Sequence, residues 1–312
     1  MIDFMSKRRL FFIISLILIV IGIAAAIING FQWDIQFEGG TILRIEMPDE
    51  TFDSDVIETR LRQEFNKNIT TQKVTTYDPG SENDSIAMLT LKVTKNETLT
   101  DEELNTTYEI LRAEFNVDEN AESQVQSIEP FIGREMRARA LRAAMIAMVL
   151  IVLYVWVRFS KINGLAAALF SIVALLHDVL IMVSVYTVLR IPINESFVAA
   201  VLTILGYSMN DTIIIYDRIR ENSGMKRQGD MIGLVNRSLT QSLPRSINTL
   251  LTTLICVLTV YIFASIHNIA ALTDFTLPLM VGLISGTYSS FFIASPLWMM
   301  WQRKSTMAAA KR

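Results

Sequence analysis

The chain has 312 residues, of which 51% are hydrophobic and 19% charged, and its formal net charge is -3. The apolar excess is gathered into long blocks, which marks an integral membrane protein and excludes an ordinary soluble globular domain. Between Gly30 and Gly133 there are 22 acidic and 8 basic residues, a local balance of -14, and so acidic a segment excludes nucleic acid as a partner, since phosphate neutralisation needs clustered Lys and Arg.

Lys7, Arg8 and Arg9 precede an apolar run from Leu10 to Ile28, long enough at ~1.5 Å per residue to cross a ~30 Å hydrocarbon core. The basic flank puts the amino terminus in the cytoplasm. The run exceeds the ~7–15 residues of a secretory signal, so Ala24-Ala25-Ala26 is read as part of an uncleaved anchor.

Residues 30–133 read as one extracytoplasmic domain. Thr41–Met47 alternates as a strand, and Asp53–Phe65 places Val56, Ile57, Leu61 and Phe65 at helical spacing. A Thr- and Val-rich strand, Ile69–Tyr77, leads to a turn at Asp78-Pro79-Gly80-Ser81, and Ser85–Val93 alternates again. Thr100 and Glu103 form a capping box opening a helix to Phe115, and Ser123–Ile128 is the last strand. The order β-α-β-β-α-β is the ferredoxin-like arrangement, an α+β fold that names no function. Gly39-Gly40 before the first strand reads as a tight turn, because no glycine-rich helix start follows. Asn-x-Ser/Thr matches at Asn68, Asn83, Asn96 and Asn105 read as chance in an Asn- and Thr-rich domain.

Five further spans follow: Ala140–Val157, Gly164–Leu189, Ser196–Tyr216, Leu243–Ile266 and Phe275–Met300. The chain thus divides into 1–29 (cytoplasmic amino terminus and first of six transmembrane helices), 30–133 (extracytoplasmic domain), 134–301 (five further helices) and 302–312 (cytoplasmic tail). The loop containing Arg158 and Lys161, the loop Asp217–Arg245 with six basic and three acidic residues, and the tail with Arg303, Lys304, Lys311 and Arg312 all fall on the amino-terminal side, as the positive-inside rule requires. Arg134, Arg137, Arg139 and Arg142 precede the second span on the other side, where an interfacial helix that snorkels its arginines is expected.

Polar residues inside the spans carry the functional signal. A charge at the centre of a membrane helix costs roughly 2.5–3.5 kcal/mol on insertion scales, so intramembrane carboxylates mark ion or proton pathways. Asp211 shares a helical face with Tyr207 and Ser208, and Asn210 adjoins Thr203 and Gly206. On the fifth span Arg245, Thr249, Thr252, Cys256 and Thr259 form a polar stripe, and Ser242 with Pro244 looks like that helix's start. Asp211 and Arg245 make either a structural salt bridge or a titrating pair. His177 and Asp178 are adjacent, so their side chains diverge by about 100° and are not expected to pair; Asp178 is expected to bond a neighbouring helix near one end of its span. Gly282 and Gly286 make a small-x-x-x-small packing face. The single cysteine, Cys256, falls inside an apolar block and gives neither a disulfide nor a metal cluster; it is read as a small packing residue. No nucleophile elbow, His-Glu-x-x-His or Walker motif is present, so no enzyme, metal or cofactor chemistry is expected.

Gly206-Tyr207-Ser208-Met209-Asn210-Asp211-Thr212 and Asp217-Arg218-Ile219-Arg220-Glu221 resemble the fourth-helix signature of the SecD/SecF family of bacterial accessory protein-translocation subunits, on its SecF side, within the resistance-nodulation-division superfamily. The likeness continues in Arg245-Ser246-Ile247-Asn248-Thr249, Thr252-Thr253, His177-Asp178 and Gly286-Thr287-Tyr288-Ser289-Ser290, and covers essentially the whole chain. The resemblance implies a proton relay of Asp211, Arg245 and Thr249 working with an aspartate of SecD. Tyr207, Asn210, Thr212, Asp178 and Thr252 would be supporting polar residues, and Gly206, Gly282 and Gly286 helix-packing positions. It further implies a heterodimer with SecD, a SecYEG channel with YajC and YidC alongside, a translocating preprotein, and a bacterial inner (plasma) membrane. Two positions depart from the family pattern: Gln36 stands where Asp-Phe-x-Gly-Gly-Thr has its acid, and Pro244 where a hydroxyl residue often precedes the arginine. A proton-driven exporter of small molecules or lipids, and a scaffold that merely locks helices, are the alternative readings.

Overall fold

The computed structural model describes residues 3–48, 52–77, 85–94, 97–119, 121–224, 231–267 and 269–309. The expected turn at Asp78–Ser81, the sequons at Asn83 and Asn96, and Lys311 and Arg312 lie outside them. Two compact units divide the chain, an α+β unit spanning Trp33–Leu141 and a helical unit built from the segments on either side.

The first element is α1 (Arg8–Asn29), whose Leu10, Ile13, Leu16, Ile17, Val20 and Ile21 are exposed. Such a continuous apolar surface is a lipid-facing belt. The α+β unit then runs α2 (Ile35–Glu38), β1 (Gly40–Glu46), α3 (Ser54–Phe65), β2 (Ile69–Tyr77), β3 (Ser85–Val93), α4 (Asp101–Phe115) and β4 (Ser123–Ile128). Its four strands pair antiparallel in the order β2-β3-β1-β4, the ferredoxin-like topology. Alternation puts Leu43, Ile45, Leu89, Leu91 and Val93 on one face, against Ile57 and Leu61 of α3 and Leu111 of α4. The helix ends are locally encoded. Asp53 caps α3, Thr100 and Glu103 form the capping box of α4, and Asn66 and Asn116 close the two helices with left-handed backbones. Gly39 and Gly40 turn the chain into β1 with φ of 84° and 155°, and a side chain at Gly39 would meet the Pro130 backbone at 2.5 Å. The short α2 was not anticipated; Asp34 caps it, with its carboxylate accepting from the Gln36 N–H.

The helical unit continues with α5 (Pro130–Arg158), α6 (Gly164–Leu189), α7 (Glu195–Ser223), α8 (Met231–Ile266), α9 (Ala270–Ser289), a π-type turn over Ser290–Ala294, and α10 (Ser295–Ala309). Among the described residues six helices are long and apolar enough to cross a membrane, α9 and α10 counting as one. Two expectations change here. The arginines at 134–142 lie on the first turns of the same helix as the second span, so no separate interfacial helix forms. Pro244 lies inside α8, which begins thirteen residues earlier at Met231; a Ser-, Asn- and Arg-bearing stretch reads as loop by hydropathy, yet it buries Leu234, Val235, Ser238 and Leu239. The last span, expected over Phe275–Met300, runs continuously as α9, the π-type turn and α10.

Helices α6, α7 and α9 form the packed centre, with α1 lying on α6. Glycines set the closest approaches. A Cβ on Gly22 of α1 would overlap Ser184 of α6, and one on Gly282 or Gly286 of α9 would overlap Ile204 or crowd Ser208 of α7. By contrast α5 and the second half of α8 bury few residues within this chain, being exposed or half-buried along nearly all of their length. At the opposite end of the bundle from the Arg190–Asn29 contact, Asn236 of α8 accepts from the Phe4 and Met5 N–H groups, at 3.1 Å each, and donates to Asp3 at 2.8 Å. That latch fixes the amino-terminal segment against α8.

Candidate functional site

Two carboxylates are buried in the middle of the helical unit, Asp178 on α6 at 0% exposure and Asp211 on α7 at 1%. Neither has a cationic side chain from another helix within 4 Å among the described residues. Each is held instead by hydroxyls, most of them from the run Ser285–Ser290 of α9 and its π-type turn.

Asp178 is fully ligated. Its Oδ2 accepts from Ser208 of α7 at 2.7 Å and Ser289 of α9 at 2.8 Å, and its Oδ1 accepts from Ser285 at 2.7 Å. The His177 Nδ1 lies 3.2 Å from the same Oδ1. This corrects the expectation that His177 and Asp178 cannot pair. Their Cβ vectors diverge, but the imidazole is long enough to fold back onto its neighbour's carboxylate. Asp178 also sits at the middle of its span, where the helix crossings are, and not near an end. Beyond it, His177 Nε2 lies 3.1 Å from the Ser15 hydroxyl of α1, Ser15 donates to Tyr288 at 3.3 Å, and Tyr288 donates to the Phe11 carbonyl at 2.8 Å.

Asp211 is sparsely ligated. Its Oδ1 accepts from Ser246 of α8 at 3.1 Å and its Oδ2 from Thr287 of α9 at 2.9 Å. A carboxylate offers about four acceptor positions, so about two are left. The two donors come from two different helices, and Asp211 is therefore the point at which α7, α8 and α9 are tied together.

The residues singled out around Asp211 are placed unevenly. Thr212 is buried and within 2.8 Å of the Ser290 hydroxyl, which also reaches the Ser208 carbonyl. Tyr207 is half-buried, facing Thr253 of α8 without a hydrogen bond to its hydroxyl. Asn210 and Gly206 are exposed, and nothing lies within 4 Å of a side chain built at Gly206, so Gly206 packs no helix within this chain. Arg245 is exposed and makes no ion pair with Asp211 among the described residues. The reason is azimuthal: α8 turns Ser242 and Ser246 inward, and Arg245, one residue before Ser246, points about 100° away. Thr249 and Thr252 donate to carbonyls of their own helix, Arg245 and Asn248 at 2.9 Å each. The stripe Arg245, Thr249, Thr252, Cys256 and Thr259 thus lies on the less buried side of α8. The charged cluster that follows Asp211 is internally paired, Asp217 with Arg158 at 3.0 Å and Arg220 at 2.9 Å, and Arg218 with Glu221 at 2.7 Å.

The partners that sequence reasoning missed are Ser246, Thr287, Ser285 and Ser289. The available signal was the density of hydroxyls in Ser285–Ser290 on an otherwise apolar span. No group of three or more metal-ligating side chains occurs among the described residues.

Residues 109–304 match the family model of the protein export membrane protein SecD/SecF, C-terminal. The protein translocase subunit SecF of Alicyclobacillus acidocaldarius is 35% identical over 99% of this chain and 96% of its own length. That of Haemophilus influenzae is also 35% identical, over 94% of this chain and 83% of its own. The protein translocase subunit SecDF of Bacillus subtilis is 33% identical over 96% of this chain. The crystal structure of SecDF from Thermus thermophilus, described as a translocon-associated membrane protein, superposes with a TM-score of 0.77 at 29% identity over 97% of this chain. This chain spans 38% of the first SecDF and 39% of the second.

Proposed function

The chain belongs to the SecF side of the SecD/SecF family of protein-export membrane proteins, and from that premise we propose that it is a bacterial plasma-membrane subunit that uses the proton motive force to complete export of secreted polypeptide. It works in a heterodimer with SecD, beside the SecYEG channel with YajC and YidC, and takes over a preprotein after ATP-driven entry. Both termini lie in the cytoplasm and the α+β unit on the far side. The single observation that carries the reading is the ligation of Asp211, a buried carboxylate tied to two neighbouring helices by two neutral hydroxyls.

A carboxylate held this way responds to one proton. The anion accepts charge-assisted bonds from Ser246 and Thr287; the neutral acid keeps acceptor capacity but holds both hydroxyls more weakly and carries an O–H that needs a new acceptor. Ser246 is the vulnerable one, because the second half of α8 has little else to hold it within this chain. Protonation therefore loosens α8 from α7, and deprotonation retightens it. Arg245, on the exposed side of the same turn, then meets the acidic residue that SecD contributes, with Thr249 beside it. Each proton falling through ~100 mV supplies about 2.3 kcal/mol and each pH unit about 1.4 kcal/mol, enough to bias an equilibrium of a few kcal/mol.

The test is Asp211→Asn in membrane vesicles holding the whole translocase. The expected result is that completion of preprotein export stops responding to an imposed proton gradient, while ATP-driven entry continues. Full gradient response in the variant would reduce Asp211 to a helix lock and the chain to a scaffold.

A further inference from the structure

Three serines of α8, Ser238, Ser242 and Ser246, stand one turn apart and are all buried, at 0%, 4% and 0% exposure. A spacing of four residues puts them on one side of the helix, about 6 Å from one to the next. The outer two show that this side faces α7: Ser246 donates to Asp211 at 3.1 Å, and Ser238 accepts from Asn222 at 2.9 Å. Ser242 lies between them and bonds nothing among the described residues. Helical hydroxyls ordinarily fall back on the carbonyl one turn earlier, as Ser238, Thr240 and Thr249 do at 2.9, 2.8 and 2.9 Å. The Ser242 hydroxyl is turned away from that carbonyl. It is shut off from the surface by this chain alone, so no residue of a partner subunit reaches it. A buried hydroxyl without a partner is costly, and such groups are ordinarily paired or hydrated. The backbones of α7 and α8 also approach each other less closely than those of α7 and α9, which Gly282 and Gly286 bring together, so side chains span the α7–α8 seam.

We infer that Ser242 is the landing point of a water that enters this seam when Asp211 is protonated, and that this water is the acceptor the neutral acid needs. The inference rests on the proton-driven reading above and adds a positioning residue to it. The carboxylate draws Ser246 in and keeps the seam closed over Ser242. The acid holds Ser246 more weakly, and a small parting of the helices admits one water between the two serines. Two O–H···O bonds of ~2.8 Å placed end to end match the ~6 Å step from Ser242 to Ser246. The water accepts from the Asp211 O–H, donates to the Ser242 oxygen and has Ser246 as a third neighbour, within the roughly two to four polar partners that a buried water takes. Only hydrogen bonds change. Because hydration gives Ser242 the partner it lacks, it favours the parted seam and couples proton uptake to movement of α8. The titratable and charged groups around Asp211 are Arg245 on α8, exposed and not paired with it, Tyr207 on its own helix, and Asp178 on α6 beyond Ser208; α9 faces it with the neutral Thr287.

The experiment records infrared difference spectra on acidification of the chain with its SecD partner in lipid, in ordinary and in 18O-labelled water. The unaltered chain should show a water O–H stretching band that moves in the labelled solvent, together with the carboxyl band of protonated Asp211. Ser242→Val and Ser242→Thr are isosteric and differ only in the hydroxyl. The valine variant should lose the water band and move the carboxyl band to higher wavenumber, since the acid's O–H has lost its acceptor, and the threonine variant should keep both bands in place. Gradient-driven export in vesicles should fall about fivefold in Ser242→Val, the fold-change of one lost hydrogen bond, and not in Ser242→Thr. Should the unfolding midpoint show that neither branched side chain is tolerated, Ser242→Ala should still displace the water band, because one of the water's partners is gone. A water band that is missing from the unaltered chain, or unchanged in both Ser242→Val and Ser242→Ala, overturns the inference and leaves the role of Asp211 standing. The same bands raised by Na+ at fixed pH would assign these oxygens to a cation and overturn it as well. Absence of any Asp211-dependent carboxyl band on acidification removes the proton-driven reading itself.

Discussion

Asp178 and Asp211 are both buried in the same helical unit and both bonded to hydroxyls of α9, yet one is saturated and the other is not. Asp178 receives three serine hydroxyls and the adjacent imidazole, from α6, α7 and α9, and through His177 it reaches α1. Asp211 receives one hydroxyl from α8 and one from α9. A carboxylate whose acceptor positions are all filled can take a proton only by expelling a donor, and it fixes the helices that supply those donors. A carboxylate with positions to spare can take a proton without expelling a donor, and the loss of charge weakens the bonds it keeps. The difference teaches that the number of donors, more than burial, separates a structural intramembrane acid from a switch.

The sharpest way to break this comparison is Asp178→Ala. Four donors lose their acceptor, and although serines can turn back to carbonyls of their own helix, the chain should lose about 3 kcal/mol or more, seen as a fall in the unfolding midpoint of the detergent-solubilised chain. A loss under 1 kcal/mol would mean that Asp178 anchors nothing. Next comes Gly286→Val, which pushes α9 off Ser208 of α7 and should cost about 1–3 kcal/mol. Gly206→Ala on the open side of α7 should be neutral or slightly stabilising in the isolated chain, by up to about 1 kcal/mol. If Gly206→Ala then weakens copurification of SecD, the open face is where the partner docks. The smallest effects belong to Ser246→Ala and Thr287→Ala, each about 1 kcal/mol or less in stability. Both should slow gradient-driven export well beyond what that loss explains, with Ser246→Thr restoring it, as measured in vesicles.

Much of this arrangement is written locally in the chain. Strand Ile69–Tyr77 follows from its Thr- and Val-rich composition, strand Ser85–Val93 from period-two alternation and the capping box at Thr100 and Glu103 from side chains that reach their own backbone, and all three are where the sequence places them. The six membrane helices follow from apolar length. Asp211 stands out because a charge in such a run is costly. What the sequence hides is azimuth and partner choice. Arg245 was the obvious mate for Asp211 by charge, and its neighbour Ser246 takes the bond because the helix turns the serine inward. Pro244 resembled a helix start because prolines favour first turns, whereas α8 absorbs it thirteen residues in. His177 and Asp178 were separated by helical geometry that holds for Cβ atoms but not for a ring that can fold back.

The central claim is that Asp211, and not Asp178, takes up the proton. Infrared difference spectra of the purified chain with its SecD partner in lipid, recorded on acidification, report protonation of a buried carboxyl group as a new carbonyl-stretch band. That band should vanish in Asp211→Asn and remain in Asp178→Asn. A band that survives Asp211→Asn, or is lost only in Asp178→Asn, contradicts the assignment.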